Sequence, residues 1–443
     1  MGFLALQGRV CGCCFVLIFI WLFMIAIKRS YTESVSWLFL ACSFLAVLLP
    51  SGRFFGINLK IISFFFLLFF IGIKSYIFSD FIKRLNFVIL LLIIWVFVGL
   101  VYWQGDLSPV FSQAKDIFVT AVFPIIGKIL LQRNMLTAER LLRSATVWLF
   151  VIALIKIFIF IFSFVAGVPV YVVMEGISEF FGTSLMSFDL GDLGGRIQFV
   201  SDLLIPFVIF YILSLKKNRN RFDFFVLFSL IFSALVGFSR YVWVVVAVSV
   251  FLSNFLVLRK RKRFAIFIFI ILFSCVFYFF EKEYIDYVFL QRFDSVASSE
   301  SDLVRQEQSR NLWAWFWDAP LMGHGLGAYI PGYIRSEEAP YSYELQLLAL
   351  LGQMGIIGVG FLSIAAISLY WRQFLMALRS NLMDAVAIFV LSVFWIMSGL
   401  YNPYLFSSSA GVIYTVIFAL YFYISFECRS KGGVSDYLNI KSI

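Results

Sequence analysis

The chain is predicted to be an all-α polytopic membrane protein, with residues 1–443 forming a single integral membrane domain. Three observations lead there. Hydrophobic residues make up 62% of the chain and charged residues 14%, against about 45–50% and about 25% in soluble domains. Apolar stretches recur from Phe15 to Phe426, and many reach the roughly 20 residues that a helix needs to cross hydrocarbon. Lys and Arg gather in alternate connectors, as the positive-inside rule requires of a chain threaded back and forth through a bilayer.

Thirteen hydrophobic segments can be drawn, near 12–27, 35–50, 58–78, 86–103, 117–131, 145–166, 199–215, 223–238, 241–258, 264–280, 344–370, 384–401 and 409–426. A break around Ser51-Gly-Arg53 or one marginal segment shifts the total, so about 12–14 transmembrane helices are expected. The connectors 79–86 (Lys83, Arg84) and 132–144 (Arg133, Arg140, Arg143) are basic. So are Lys216-Lys217 with Arg219 and Arg221, the run Arg259–Arg263, Arg372 with Arg379, and Arg429 with Lys431. All fall on one side, read as cytoplasmic together with the C-terminus. The segment Cys13–Ile27 is followed by Lys28-Arg29 and not by small residues, so it reads as a span and not as a cleaved signal.

Two long connectors, 167–198 and 281–343, fall on the opposite, outer side. The second holds ten Asp or Glu against five Lys or Arg, with Lys282 its only lysine. Val172–Phe181 and Leu303–Phe316 are amphipathic stretches suited to short interfacial helices. The run Trp313-Ala-Trp-Phe-Trp317 suits docking at the membrane–water boundary. Loops of this length usually carry function.

The net charge of +10 is explained by topology and anionic lipid, and nucleic acid is excluded as a partner because no soluble domain presents a basic patch. None of the six cysteines lies in the long loops, so no outer disulfide is expected. Cys11-Gly-Cys-Cys14 reads as small apolar residues at a helix entrance, in preference to a metal or lipid-attachment site. No metal site and no cofactor are expected.

Charged residues close to apolar sequence on the outer side are the candidates for chemistry, because charge there is costly and asks for a partner or a purpose. Arg196 follows Gly194-Gly195, Arg240 lies in the turn Phe238-Ser-Arg-Tyr241, and Arg310 precedes Trp313, with Arg305 upstream. They either snorkel to headgroups and pair with loop carboxylates, or form an anion site, for which guanidinium forks suit phosphate oxygens. His324 is the only histidine, set among Gly323, Gly325 and Gly327. It reads as a general base or phosphate hydrogen-bonder, or as a packed loop residue. Glu344, in Tyr341-Ser-Tyr-Glu344, opens an apolar run, where it caps the helix or accepts a proton from a sugar hydroxyl. Tyr341, Tyr343 and Trp313 are candidates for glycan contact.

Taken in order, these residues resemble the O-antigen ligase/polymerase superfamily over about residues 196–360. The matching features are Ser239-Arg240 at a span end, Arg310 ahead of Trp313, and the glycine-rich Pro320–Gly327. A polar helix entrance then leads into Leu351-x-x-x-Gly355-x-x-Gly358. Within the superfamily the chain looks most like a Wzy-type polysaccharide polymerase. That resemblance implies a GT-C-like, metal-independent glycosyltransferase in the bacterial inner membrane, with its two large loops periplasmic. It would join undecaprenyl-pyrophosphate-linked repeat units into O-antigen or a related surface polysaccharide. Arg196, Arg240, Arg310 and Arg305 would grip the pyrophosphate, with Glu344 or His324 as base. A chain-length regulator and a flippase are implied as partners. Ligases typically carry histidine then asparagine before the final Leu-x-x-x-Gly span, where this chain has Tyr341-Ser342. The alternatives are a ligase acting on lipid A–core and a lipid-linked glycan transporter. The transporter reading is disfavoured by an expected lack of charge pairs deep within several spans.

Overall fold

The computed structural model describes residues 31–49, 53–54, 57–102, 107–181, 187–189, 195–237, 239–255, 295–334, 337 and 339–431. The expected spans at 12–27 and 264–280, the basic run 259–263 and the Cys11–Cys14 cluster lie outside these residues. In chain order come α1 (Tyr31–Leu48), α2 (Leu59–Ile73), α3 (Ser75–Tyr102), α4 (Ser108–Gln132) and α5 (Ala138–Ala166). A two-residue ribbon, β1 (Arg53–Phe54) and β2 (Ile57–Asn58), joins α1 to α2. Next are α6 (Val170–Phe181), the ribbon β3 (Ser187–Asp189) and β4 (Gly195–Ile197), and α7 (Val200–Leu215), which opens as a 3₁₀ turn and closes as a π turn. Then follow α8 (Arg221–Val236), α9 (Arg240–Phe255), α10 (Ser295–Asp318), α11 (Gln346–Ser380), α12 (Leu382–Met397) and α13 (Ser408–Lys431).

Six described helices are long and apolar enough to cross a membrane: α1, α3, α5, α11, α12 (with its 3₁₀ extension to Leu400) and α13. Helices α2, α7 and α9 are shorter apolar rods. The protein is a multi-pass all-α membrane protein, and the two ribbons are its small departure from purely helical structure among the described residues. Its outer surface carries large apolar side chains, such as Phe97 at 66% and Phe158 at 69% exposure, as a surface facing lipid should.

Polar residues between the apolar runs decide where the helices start and stop. Thr137 accepts from the Arg140 amide to start α5, and Gly167 ends it in a left-handed cap. Asn220 and Asp223 form a reciprocal capping box at α8. Helix α13 runs through the centre of the bundle against α4. Gly127 and Gly411 allow that approach, since a Cβ on Gly127 would stand 2.5 Å from the Thr415 methyl.

The structure corrects three expectations. The basic connector around Arg372 and Arg379 is helical: α11 continues to Ser380 because nothing between Phe361 and Ser380 breaks it, and Asn381 both ends it and caps α12. The connector 79–86 is likewise helical, forming the first turns of α3, and the division from α2 falls at Lys74. Charge pairs within the bundle are also present. Lys156 of α5 and Asp202 of α7 meet at 2.7 Å with side chains 0% and 2% exposed.

Candidate functional site

One end of the bundle gathers most of the expected residues. Arg305 Nε donates to Glu344 Oε2 at 2.9 Å, both side chains half-buried. Glu344 stands two residues before the first helical residue, Gln346, and the N-cap, Leu345, has no side-chain cap. Gln308, one turn beyond Arg305 on α10, accepts instead from the Leu345 amide at 3.1 Å. The capping role open to Glu344 therefore falls to Gln308, and Glu344 is held at the rim by a guanidinium.

Beneath this rim the glycine-rich segment 320–327 packs into a break in α11. Gly355 has φ 63° and ψ −178°, outside the helical region. The amide–carbonyl bonds lost at that kink are replaced by the loop: Ile356 and Ile357 donate to Pro320 and Leu321, while His324 and Gly325 donate to the Gly352 and Gln353 carbonyls. Trp95 Nε1 of α3 closes the joint, donating to both Met322 and Met354 carbonyls at 3.0 and 2.9 Å. His324 stacks on Trp315, with ring centroids 4.7 Å apart and planes 13° apart, and Nδ1 lies 3.1 Å from the Gly352 carbonyl. Since a carbonyl only accepts, Nδ1 is the donor in that contact.

A buried amide chain ties this loop to α4. Gln113 Nε2 donates to Gln353 Oε1 at 2.6 Å, and Gln113 Oε1 accepts from the Gly327 amide at 2.6 Å. Gln353 Nε2 in turn donates to the Ala328 and Tyr341 carbonyls, each at 3.0 Å. Both glutamines thus use their oxygens and amines within a low-dielectric interior, where an unmet polar group would be expensive.

Tyr341 is buried and its hydroxyl lies 3.0 Å from Asp116 Oδ2 and 3.1 Å from Ser112 Oγ. Burial, reinforced by the Asp116 carboxylate, pushes this phenol well above its ordinary value. Tyr343 accepts from the Ile330 amide at 2.7 Å, and burial pushes it up to about 12. Neither phenol ionises near neutral pH, so both act as hydrogen-bonding posts. Asp116 was not legible as a site residue; Lys60 acts on it electrostatically and Lys115 lies 3.6 Å away.

The arginines divide into two groups. Helix α10 turns Arg305, Gln308, Leu312 and Phe316 toward the protein, while Leu303, Arg310, Trp313 and Trp317 form its exposed stripe. Arg310 and Trp313 are therefore not brought beside Arg305. Arg196 lies in β4, in register with Phe188, and its side chain lies outside the described part. Arg240 is the exposed first residue of α9, in the tight turn expected for it. A Cβ on Gly237 would stand 3.6 Å from both the Ile197 carbonyl and Asp202 Oδ2, so the strand bearing Arg196 runs beside the turn bearing Arg240. Tyr241 donates to the Phe394 carbonyl and its ring lies 5.5 Å from Tyr401. The loop after Tyr401 returns to α11 where Gln346 Oε1 accepts from the Leu405 amide at 2.8 Å. Arg240 and Glu344 thus share one end of the bundle, bridged by that loop.

The Lys156–Asp202 pair lies directly under the Arg196–Arg240 junction. Asp202 Oδ2 also accepts from the Phe199 amide at 2.9 Å, and the Lys156 ammonium stands 5.0 Å from the Phe199 ring centre. Residues 224–363 match the family model described as O-antigen ligase, a span running from α8 through the kink of α11. That match supports the superfamily resemblance and is equally consistent with ligase and polymerase readings. No curated protein matches the chain.

Proposed function

We propose that the chain, whose residues 224–363 match the family model described as O-antigen ligase, is a metal-independent, GT-C-like glycosyltransferase acting at the periplasmic face of a bacterial inner membrane. It polymerises undecaprenyl-pyrophosphate-linked repeat units into a surface polysaccharide. The observation that carries this reading is a carboxylate, Glu344, held by Arg305 at the same end of the bundle as the Arg196–Arg240 junction.

In the proposed step, a hydroxyl of the incoming lipid-linked repeat attacks the anomeric carbon of the growing glycan. The bond from that carbon to the diphosphate breaks, and undecaprenyl pyrophosphate leaves with the electron pair. Arg196, Arg240 and Arg305 are assigned to the diphosphate oxygens, whose developing charge guanidinium donors stabilise; Arg310, expected from the sequence to join them, lies on the exposed stripe of α10 and is not assigned there. The acceptor proton passes to a base within about 3 Å. Geometry favours Glu344 over His324 for that role, because Glu344 stands partly exposed at the rim while His324 stacks on Trp315 and its Nδ1 is engaged by the Gly352 carbonyl. Exposed Trp313 remains a proposed glycan contact, whereas Tyr341 and Tyr343, also expected to touch glycan, are buried and support the loop from within. A flippase that delivers repeats and a chain-length regulator are the proposed partners.

A second reading, equally consistent with the O-antigen ligase family match, is transfer of finished glycan to lipid A–core. Tyr341 speaks for polymerisation: where ligases carry a histidine, this chain has a phenol locked onto Asp116 and Ser112. Purified protein incubated with its lipid-linked repeat should give a ladder on a gel; transfer seen only when lipid A–core is added would replace the polymerase reading with the ligase. Arg240→Ala and Arg305→Ala should insert normally and make no detectable polymer, since loss of one such donor typically costs about 100-fold or more in rate. Glu344→Gln should behave likewise. Wild-type chain lengths in all three would sink the assignment.

A further inference from the structure

A groove of about 440 Å³ runs between α3, α4, α11 and α13, from Leu347 and Leu405 near the Glu344 end, past Ile125, Leu362 and Ala366, to Phe87 and the opposite end of the bundle. Only that opposite end, remote from Glu344, is a feature that glycan transfer does not use. Phe87 is 40% exposed, so its edge meets the surrounding hydrocarbon. At the far end the lining becomes cationic, with Lys83, Arg84 and Lys128, and includes no Asp or Glu among the described residues.

Lys128 is the informative member. It is buried within the bundle, yet its Nζ is met by the Leu369 carbonyl at 2.6 Å and by the Phe418 ring at 5.6 Å, with no carboxylate in an ion pair with it among the described residues. Its charged electrostatic neighbours are Arg84 and Arg372, both cations. Asp80, on the same helix as Lys83 and Arg84, is already held by Arg133, and Arg84 reaches Gln132 at 3.0 Å. Several cations converging on the mouth of an apolar groove repel one another until an anion joins them.

We propose that this groove seats an anionic glycerophospholipid, its phosphate among Lys83, Arg84 and Lys128 and one acyl chain along the apolar wall. The charge placement selects this occupant over a polyprenyl diphosphate. A donor serving Glu344 would carry its diphosphate to the other end, away from these cations. By the positive-inside reading, the seated lipid belongs to the cytoplasmic leaflet, where anionic headgroups favour Lys and Arg. The site is independent of which glycan reaction the protein performs.

The test is native mass spectrometry of the full-length protein released from nanodiscs containing equal phosphatidylglycerol and phosphatidylcholine. Wild-type protein should retain phosphatidylglycerol preferentially. A Lys83→Ala/Arg84→Ala double variant should lose about tenfold or more of that preference, given the typical worth of a basic residue near an anionic surface. Ala366→Phe, which narrows the groove and keeps every cation, should lower retention of both lipids. Equal retention of the two lipids by wild-type protein would overturn the proposal, whatever the variants do. Displacement of phosphatidylglycerol by added polyprenyl phosphate would overturn it in favour of a donor-tail site.

Discussion

Asp202→Ala is expected to be the most destabilising single substitution of a charged residue in the protein. It leaves the Lys156 ammonium, fully buried, without the carboxylate that meets it at 2.7 Å through both oxygens. Removing one partner of a buried pair typically costs about 3–5 kcal/mol, because the other charge stays desolvated. Asp202 also accepts from the Phe199 amide, and losing such a cap adds about 1 kcal/mol. Asp202→Asn separates the two effects, since an amide oxygen can still cap but carries no charge. A Lys156→Met/Asp202→Asn double variant removes the charge imbalance and keeps the cap. Thermal unfolding in detergent should therefore rank Asp202→Ala lowest, Asp202→Asn next, and the double variant near wild type. An unchanged midpoint in Asp202→Ala would show that the pair contributes little. The same variants should lose activity before they lose the fold, because Phe199 and the Gly237 turn position the backbone that carries Arg196 and Arg240.

That pair also illustrates what could be read from the chain before its fold. Spans were legible because burial in lipid imposes a length and a composition, and the Ser239-Arg240 turn because two apolar runs leave almost no room between them. The length of 281–343 marked it as functional and its acidic character set it apart from the basic connectors, and α10 and the Arg305–Glu344 pair fall within or beside it. Partnership was not legible. Lys156 is conspicuous inside an apolar run, yet Asp202 lies 46 residues away and resembles an ordinary residue at a span entrance. Gln113 and Gln353 are separated by 240 residues and carry no charge to draw attention. Arg305, Arg310 and Trp313 read as one cluster by proximity in sequence, but helical periodicity turns Arg305 inward and the other two outward. Glycines such as those of 320–327 suit a tight turn or the approach of a ligand; their main use in this fold is close contact with other backbone.

Gly325→Ala tests that last use, and its effect should rival the loss of Asp202. Two separate costs are combined at this position. Its φ of 92° lies in a region that side-chain-bearing residues rarely adopt, and a Cβ there would fall on the backbone of Gly99 in α3. Two other glycines separate these costs. Gly332 has φ 79° but open space around it, so Gly332→Ala should show conformational strain alone, about 1 kcal/mol. Gly99 sits within α3, where a Cβ would stand 2.5 Å from the Leu326 carbonyl oxygen, so Gly99→Ala should show the clash alone. Overpacking commonly costs about 1–3 kcal/mol when side chains can rotate away. Here the obstructing atoms are main chain, held by Leu326 donating to the Trp95 carbonyl at 3.1 Å and by Gly325 donating to Gln353 at 2.8 Å. Relief therefore requires lifting the loop from the α11 kink, which exposes the Gly352 and Gln353 carbonyls and releases His324 from its stack. The expected order of unfolding temperatures is Gly332→Ala near wild type, then Gly99→Ala, then Gly325→Ala. Glycosyl transfer should fall in the last two even in detergents where the fold persists. If Gly99→Ala proves as benign as Gly332→Ala, the loop is not seated against α3, and the joint that sets Glu344 over the glycine-rich segment must be drawn differently.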